Sequence, residues 1–427
     1  MSKEKVVGIY GDHNASVNDP NYLDTLQGEI GLNAIICGGY NLSADVRALN
    51  PATVPGGSTY SDDDSMLYKA QEVFRKRGIQ SWAIFGGYHG MANSEPETMA
   101  YTLEGKRIDS FPPRLYAHEA NGFTTCPNNE KHNAFLEAVL VDIASRYDFA
   151  GSAITHARYA HSAFIQGLLA CGCETCEKKA GEFGFDFQRM KKAVLGTYYG
   201  FQKLTVDQCK LALKVGLGFL DFVEMMGQDA GAVADWFNYR AMVISHNFKR
   251  FQTAIHSVNP NFRFGSDTHY PTMALLVGHR YADLNQVCDQ IVPLLSHNEI
   301  HFMDNIGSFA NFLMESVPGL EDADATSLVY NFLGVHTPGL PKTVKEMQLG
   351  TPVTAEIQMN PDTLQALVAN EMYKVRLLSN NKNPSYPVIK GSFWPERVVR
   401  SLMNIAVEAG HDGIVLQGTD SLFKWKK

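Results

Sequence analysis

The chain has 427 residues, 45% of them hydrophobic and 19% charged, so it holds enough apolar material for a large core and is not a disordered polymer. Its net charge of −8, without a basic block, argues against nucleic acid as a partner. No apolar run reaches the ~18 residues of a membrane span, the start MSKEKVVGIYGDHN lacks a signal-peptide core, and seven cysteines make a disulfide scaffold a poor reading; a cytoplasmic protein without a membrane partner is expected.

Short apolar runs alternate with helical patterns, the rhythm of βα units on a parallel sheet. The first run, Val6–Tyr10, ends in Gly11-Asp12-His13-Asn14. Ala34–Cys37 ends in Gly38-Gly39-Tyr40, and Ser81–Phe85 in Gly86-Gly87-Tyr88-His89. A loop from Met91 to Thr125 and an amphipathic helix over about 132–147 precede the fourth run, Gly151–Thr155, which continues into His156-Ala157-Arg158. Residues 178–258 read as helical. Phe262–Asp267, Gln290–Leu295 (before Ser296-His297-Asn298-Glu299), Pro352–Gln358 and Gly413–Gly418 complete eight runs. The expectation is a single (β/α)8 TIM barrel over 1–427, with a long helical insertion over 178–258 after strand 4; an open doubly wound sheet is the alternative. Enzymes of the barrel fold carry their sites at the C-terminal ends of the strands. No phosphate-cradling glycine motif follows the first run, which weakens a nucleotide-binding reading.

Cys171-Gly172-Cys173-Glu174-Thr175-Cys176 places three thiols within six residues. A closed structural zinc site takes four ligands, and Cys126, ahead of the helix that feeds the fourth run, is the best fourth. Cys37, Cys209 and Cys288 lie in apolar patterns and read as packing residues.

Cys126-Pro127-Asn128-Asn129, followed at 171–176 by C-x-C-x2-C, resembles the zinc site of glycoside hydrolase family 42 β-galactosidases. Arg146-Tyr147-Asp148-Phe149 leads into the fourth run as in that family. Val353-Thr354-Ala355-Glu356-Ile357-Gln358 is similar to the segment of its nucleophilic glutamate on strand seven, and 405–418 to its last helix and eighth strand. The resemblance implies a barrel glycosidase, a structural Zn2+ held by Cys126, Cys171, Cys173 and Cys176, and Glu356 as nucleophile. It breaks at the fourth strand end, where the family's acid/base glutamate is replaced by Thr155-His156-Ala157-Arg158-Tyr159. Only Thr419–Lys427 follow the eighth run, so the family's further domains are not expected.

Glycoside hydrolysis takes two carboxylic groups. With Glu356 as one, the proton donor is sought on other strand ends: Asp267 after the fifth run, or His156 after the fourth, with Glu224 and Glu299 as weaker choices. Asp267 read structurally caps a turn, and Glu356 or Arg158 read structurally makes an ion pair. Asp12, His13, Asn14, Tyr88, His89, Arg158, His269 and His297 would place the substrate, together with rim aromatics Tyr10, Tyr40, Tyr159 and Tyr270. Five histidines after strands (His13, His89, His156, His269, His297) also support an alternative, a second divalent ion at the barrel mouth serving a metal-dependent lyase, isomerase or hydrolase. A third reading is a sugar-binding barrel without catalysis. The partner is a carbohydrate or glycoconjugate; a homo-oligomer is compatible with the sequence.

Overall fold

The protein is described from a computed structural model covering residues 5–50, 61–88, 98–107, 124–160, 165–297, 302–347 and 359–423. Eight parallel strands form one sheet: β1 (Val6–Tyr10), β2 (Ala34–Cys37), β3 (Gln80–Gly86), β4 (Gly151–Thr155), β5 (Gly265–Thr268), β6 (Gln290–Pro293), β7 (Val388–Lys390) and β8 (Gly413–Gln417). Their order is β6-β5-β4-β3-β2-β1-β8-β7. Parallel bridges Ile291↔Ser385 and Leu294↔Val388 join the two edges, and the Leu295 N–H donates to the Val388 carbonyl at 2.9 Å. The result is a (β/α)8 TIM barrel.

The seventh place in the ring is taken by Val388–Lys390, which corrects the expectation that 352–358 fills it; residues 348–358 lie outside the described residues. The reason is local. Only three residues stand between Pro387 and Gly391 in this strand, too few for its apolar pattern to stand out. The central strands carry Val, Ile and Ala on both faces because both are covered: β2 and β6 are buried at every residue.

Alternation along each strand divides the apolar material in two. Ala34, Ile36, Trp82, Ala153, Val292, Val388 and Val415 fill the barrel interior, with Tyr386 against Trp82 at 5.0 Å between ring centroids. The outward-facing set, Ile9, Ile35, Phe85, Ile154 and Ile389 among them, packs against the helices. Between β4 and β5 the chain runs through helices Glu174–Glu182, Phe187–Gly200, Val206–Val215, Phe219–Met225 and Ala230–Val258. The last has 29 residues and opens with the Asp229 carboxylate accepting from the Ala232 N–H. Its residues Val233, Trp236, Phe237, Arg240, Ile244, Phe248, Phe251 and Ile255 recur at helical spacing and are buried. No described helix is long and apolar enough to cross a membrane.

Candidate functional site

The C-terminal end of the barrel is built around Asp267. As the third residue of β5 it points inward, and it is only 6% exposed. Tyr10, at the end of β1, donates its hydroxyl to both Asp267 carboxylate oxygens at 3.0 Å. The Thr155 hydroxyl, at the end of β4, lies near enough to favour the carboxylate form as well. Burial outweighs both donors and pushes the Asp267 pKa up from 3.8 to about 7. Thr155 Oγ1 in turn lies 3.1 Å from Nδ1 of His156. The four side chains therefore run as a polar chain across the mouth, from β1 through β5 to β4. A carboxylic acid poised near neutral pH can donate a proton to a leaving oxygen.

His156 has φ 55, a left-handed backbone unusual outside glycine, and its carbonyl accepts from the Tyr88 N–H at 3.0 Å. Arg158 is buried, with Nη1 3.4 Å from the Tyr159 carbonyl. His269 is buried beside Tyr270, and its backbone N–H donates to Nδ1 of His279 at 3.0 Å. That leaves the proton of His279 on Nε2, 3.1 Å from the Ala157 carbonyl. His279 follows no strand and carries no signal in the sequence, yet it ties the ends of β4 and β5 together. Burial pushes its pKa down to about 4, so it acts as a neutral brace.

Other expected residues stand differently. Asp12 is exposed and caps the short helix His13–Asn18 by accepting from the Asn14 N–H at 2.8 Å. The His13 ring lies over Gly39, where a Cβ would stand 2.5 Å from its Cε1; the φ of +86 at Gly39 fits the same requirement. His297 is half-buried, with Nδ1 3.4 Å from Ser296 Oγ. Tyr88 does not line the mouth. It is fully buried, donates to Asn133 Oδ1 at 2.6 Å and accepts from Asn247 Nδ2 at 2.9 Å, which places it in the layer between sheet and helices. Tyr40, Tyr159 and Tyr270 are likewise buried, so Tyr10 is the one of the five expected rim tyrosines that meets Asp267. Glu224 is exposed on the helix Phe219–Met225, away from this chain of groups. His89, Glu299 and Glu356 lie outside the described residues.

The corrected β7 brings Lys390, which no expected strand end contained, to the mouth. Val388 belongs to the barrel interior and Ile389 to the outer layer, so Lys390 points inward; it is 3% exposed. Its register partner is Gln417 of β8, the neighbour of β1. The two strand ends meet closely: a Cβ on Gly391 would stand 1.9 Å from the Gly418 carbonyl oxygen. The signal was present as an apolar run ending in Lys-Gly, but Pro387 and its shortness masked it.

The four cysteines come together as expected from their spacing. Their sulfurs all lie within 4.8 Å of one another, with Cys126–Cys176 at 3.4 Å and Cys126–Cys173 and Cys173–Cys176 at 3.6 Å. A tetrahedral zinc with sulfur at about 2.3 Å spaces its ligands about 3.8 Å apart, so the donor set fits such an ion. N–H groups point at three of the sulfurs. Tyr101 N donates to Cys171 at 3.4 Å, Asn128 N to Cys126 at 3.4 Å, and Asn128 Nδ2 to Cys176 at 3.2 Å. Cys173 caps the helix Glu174–Glu182, whose N-terminus favours thiolate, and hydrogen bonds from the other three thiols hold it well below the usual thiol range. Among the described residues this is the one group of three or more His, Cys, Asp or Glu able to share an ion; His13, His156, His269 and His297 do not form another.

No protein-family model matches the chain, and no curated protein matches it. Among solved structures it is similar to the PgaB (BpsB) glycoside hydrolase domain from Bordetella bronchiseptica, with TM-score 0.50, 9% identity, and coverage of 98% of this chain and 94% of that one. It is also similar to the β-galactosidase of the psychrophilic Marinomonas ef1, with TM-score 0.50, 10% identity, and 96% and 53% coverage. A β-galactosidase from the Antarctic haloarchaeon Halorubrum lacusprofundi gives TM-score 0.51, 11% identity, and 96% and 52% coverage. The chain thus spans about half the length of the two β-galactosidases and most of the PgaB domain. At these identities the likeness is one of fold; the three proteins named are a glycoside hydrolase domain and two β-galactosidases.

Proposed function

We propose that the protein is a glycoside hydrolase-like enzyme acting on a carbohydrate or glycoconjugate, with Asp267 as its proton donor. The observation that carries this reading is the buried Asp267 carboxyl at the barrel mouth, bonded by Tyr10 and with its pKa raised to about 7. At neutral pH a large share of it is protonated, as a general acid needs. The three fold neighbours named above support the same class. In this reading Asp267 takes the place of the acid that the β-galactosidase family carries after strand four, and His156, linked through Thr155, accepts or returns the proton. Glu356 is the second carboxylate, on the strength of the sequence resemblance around it. Arg158, His13, His89, His269 and His297 position the sugar, with Asp12 and Asn14 at the rim. Zinc on Cys126, Cys171, Cys173 and Cys176 is structural: four protein sulfurs leave no open position for substrate.

The test is hydrolysis of a panel of aryl glycosides and oligosaccharides by wild type, D267N and E356Q. On any substrate that turns over, D267N should lower kcat/KM by at least about 100-fold, the lower end for loss of a general acid. E356Q should lose turnover with aryl and alkyl leaving groups alike. A D267N enzyme at the wild-type rate would remove Asp267 from the mechanism.

A further inference from the structure

The helix that packs against the four-cysteine site carries a buried cation. Arg240, in the middle of the helix Ala230–Val258, is 0% exposed. Among the described residues no carboxylate pairs with it, and its Nε and Nη1 have no hydrogen-bond partner. Its one hydrogen bond runs from Nη2 to the Gly167 carbonyl at 3.3 Å. Around it stand aromatic faces: Tyr159 at 4.4 Å from the guanidinium carbon, Trp236 at 5.7 Å and Phe237 at 6.0 Å. Ring faces attract a cation, but they replace only part of the hydration that a buried guanidinium gives up.

The cysteine cluster packs on the same stretch of helix. Tyr239, the preceding residue of the same helix, donates its hydroxyl to the Cys176 carbonyl at 2.7 Å and accepts from Asn128 Nδ2 at 2.9 Å. Trp236 Nε1 holds the Leu168 carbonyl at 2.8 Å, so this stretch of helix fastens the segment that runs from Gly167 into Cys171. Burial lowers the Arg240 pKa to about 10, so the guanidinium stays a cation at neutral pH; negative charge on Tyr159, and after it on Cys171 and Cys176, would act against that shift. A divalent ion on four thiolates leaves two net negative charges in this dry environment, and the described N–H donors to sulfur offset them only as dipoles.

We infer that Arg240 is the counter-charge of the four-cysteine metal site: the buried guanidinium and the metal tetrathiolate stabilise each other, and the helix Ala230–Val258 brings the cation to the cluster. Arg240 touches neither substrate nor metal; it is a positioning residue acting on how tightly the ion is held. The inference rests on the metal reading above.

The test compares full-length wild type, R240M, R240Q and R240K after zinc loading and dialysis. Zinc per chain is measured by elemental mass spectrometry, zinc release by titration with a chelator, and Tm with and without zinc. Wild type should retain one zinc, and the two neutral variants should release it at roughly 10–100-fold lower chelator, the range for lost outer partners of a metal site. R240K should fall between them and wild type. Zinc should raise the Tm of wild type more than that of R240M, because in the metal-free protein Arg240 is an uncompensated buried charge. Neutral variants that hold zinc as tightly as wild type would overturn the inference and leave the metal reading standing. Wild type without zinc would overturn the metal reading and the inference together. Should both neutral variants fail to fold, R240K decides: folded and zinc-loaded it supports the charge pairing, folded and empty it refutes it.

Discussion

Asp267 should make the protein less stable than it need be, and the size of that effect follows from the geometry. In an unfolded chain the carboxyl titrates at its ordinary value of 3.8; in the fold, burial raises this to about 7. Between these values the native state holds a proton that the unfolded state has lost, so stability falls as pH rises from about 4 and levels off above about 7. At about 1.36 kcal/mol per pH unit, the rise corresponds to roughly 4 kcal/mol at pH 8, an upper figure for what the ionised group costs the fold. D267N removes the charge while its amide oxygen still accepts from Tyr10. It should therefore stabilise the protein by up to roughly 4 kcal/mol at pH 8, with the gain shrinking to nothing at pH 4, where wild type is neutral as well. Tm and denaturant midpoints of the two proteins at pH 4, 6 and 8 give the answer without any substrate. A gain of equal size at all three values would come from packing rather than charge, and a loss at pH 8 would refute a raised Asp267 pKa. A residue whose removal stabilises the fold is the pattern of a group kept for chemistry.

Y10F takes away a donor to the charged carboxylate, a bond of roughly 1.5–3 kcal/mol, and should move the Asp267 titration upward by about 1–2 pH units; infrared difference titration against D267N reads the shift directly, and an unmoved midpoint would show that the Tyr10 bond does not act on the carboxylate. On the acid side the sign reverses. Burial lowers the pKa of His132 and His279 from 6.5 to about 4 and that of His411 to about 3, so the unfolded chain takes up protons that the native state refuses; stability should drop as pH falls from about 6.5 towards 4, most plainly in the D267N background, and a flat Tm over that window would contradict neutral buried imidazoles. If the four cysteines hold a metal as proposed, stripping it with a chelator should deprotect backbone amides in 98–107, 165–176 and the first half of the helix Ala230–Val258, while β8 and β1 keep their protection; hydrogen exchange followed by peptide mass spectrometry distinguishes this from a uniform change, which would mean that the cysteines do not act locally.

Strands β1, β2, β4 and β8 were legible because each is a run of β-branched or small apolar residues closed by glycine or a polar turn, and both faces of such a strand are buried. β7 was not, because three residues after a proline carry no period, and a longer apolar run at 352–358 offered itself instead. The cysteine site was legible for the opposite reason: three of its ligands are local in sequence. At the mouth, the sequence pointed to Asp267 as a strand-end carboxylate, yet its contact with Tyr10 spans 257 positions and follows only from ring closure. Tyr88 shows the limit of the strand-end rule. Two residues past β3 the chain has turned, and the ring that was expected to face the mouth packs behind the sheet against Asn133 and Asn247. Arg240 gave no signal at all, being one polar residue among many on a long helix.

The two sites are connected through one stretch of chain. β4 ends in Thr155 and His156, which carry the polar chain leading from Asp267, and the segment that follows leads through Gly167–Leu169 into Cys171 and Cys173. Cys126 closes the same cluster from the other side, just before the helix Glu130–Arg146 that feeds β4. Both ends of this unit are therefore pinned to one point, and the helix Ala230–Val258 presses on that point with Trp236, Tyr239 and Arg240 before it leads into β5. β4 and β5 share the register pair Ile154↔Ser266, and the bridge Gly151↔Arg263 continues the pairing just ahead of β5. His279 adds one bond to each of their ends, and the cysteine cluster holds the chain beyond β4. The bonds of the sheet and these two braces together fix the end of β4 against β5, and with it the place of Thr155 beside Asp267. Under the proposed function, an ion on the four cysteines would steady the segment after β4, and through it the surroundings of Asp267, without touching that carboxyl.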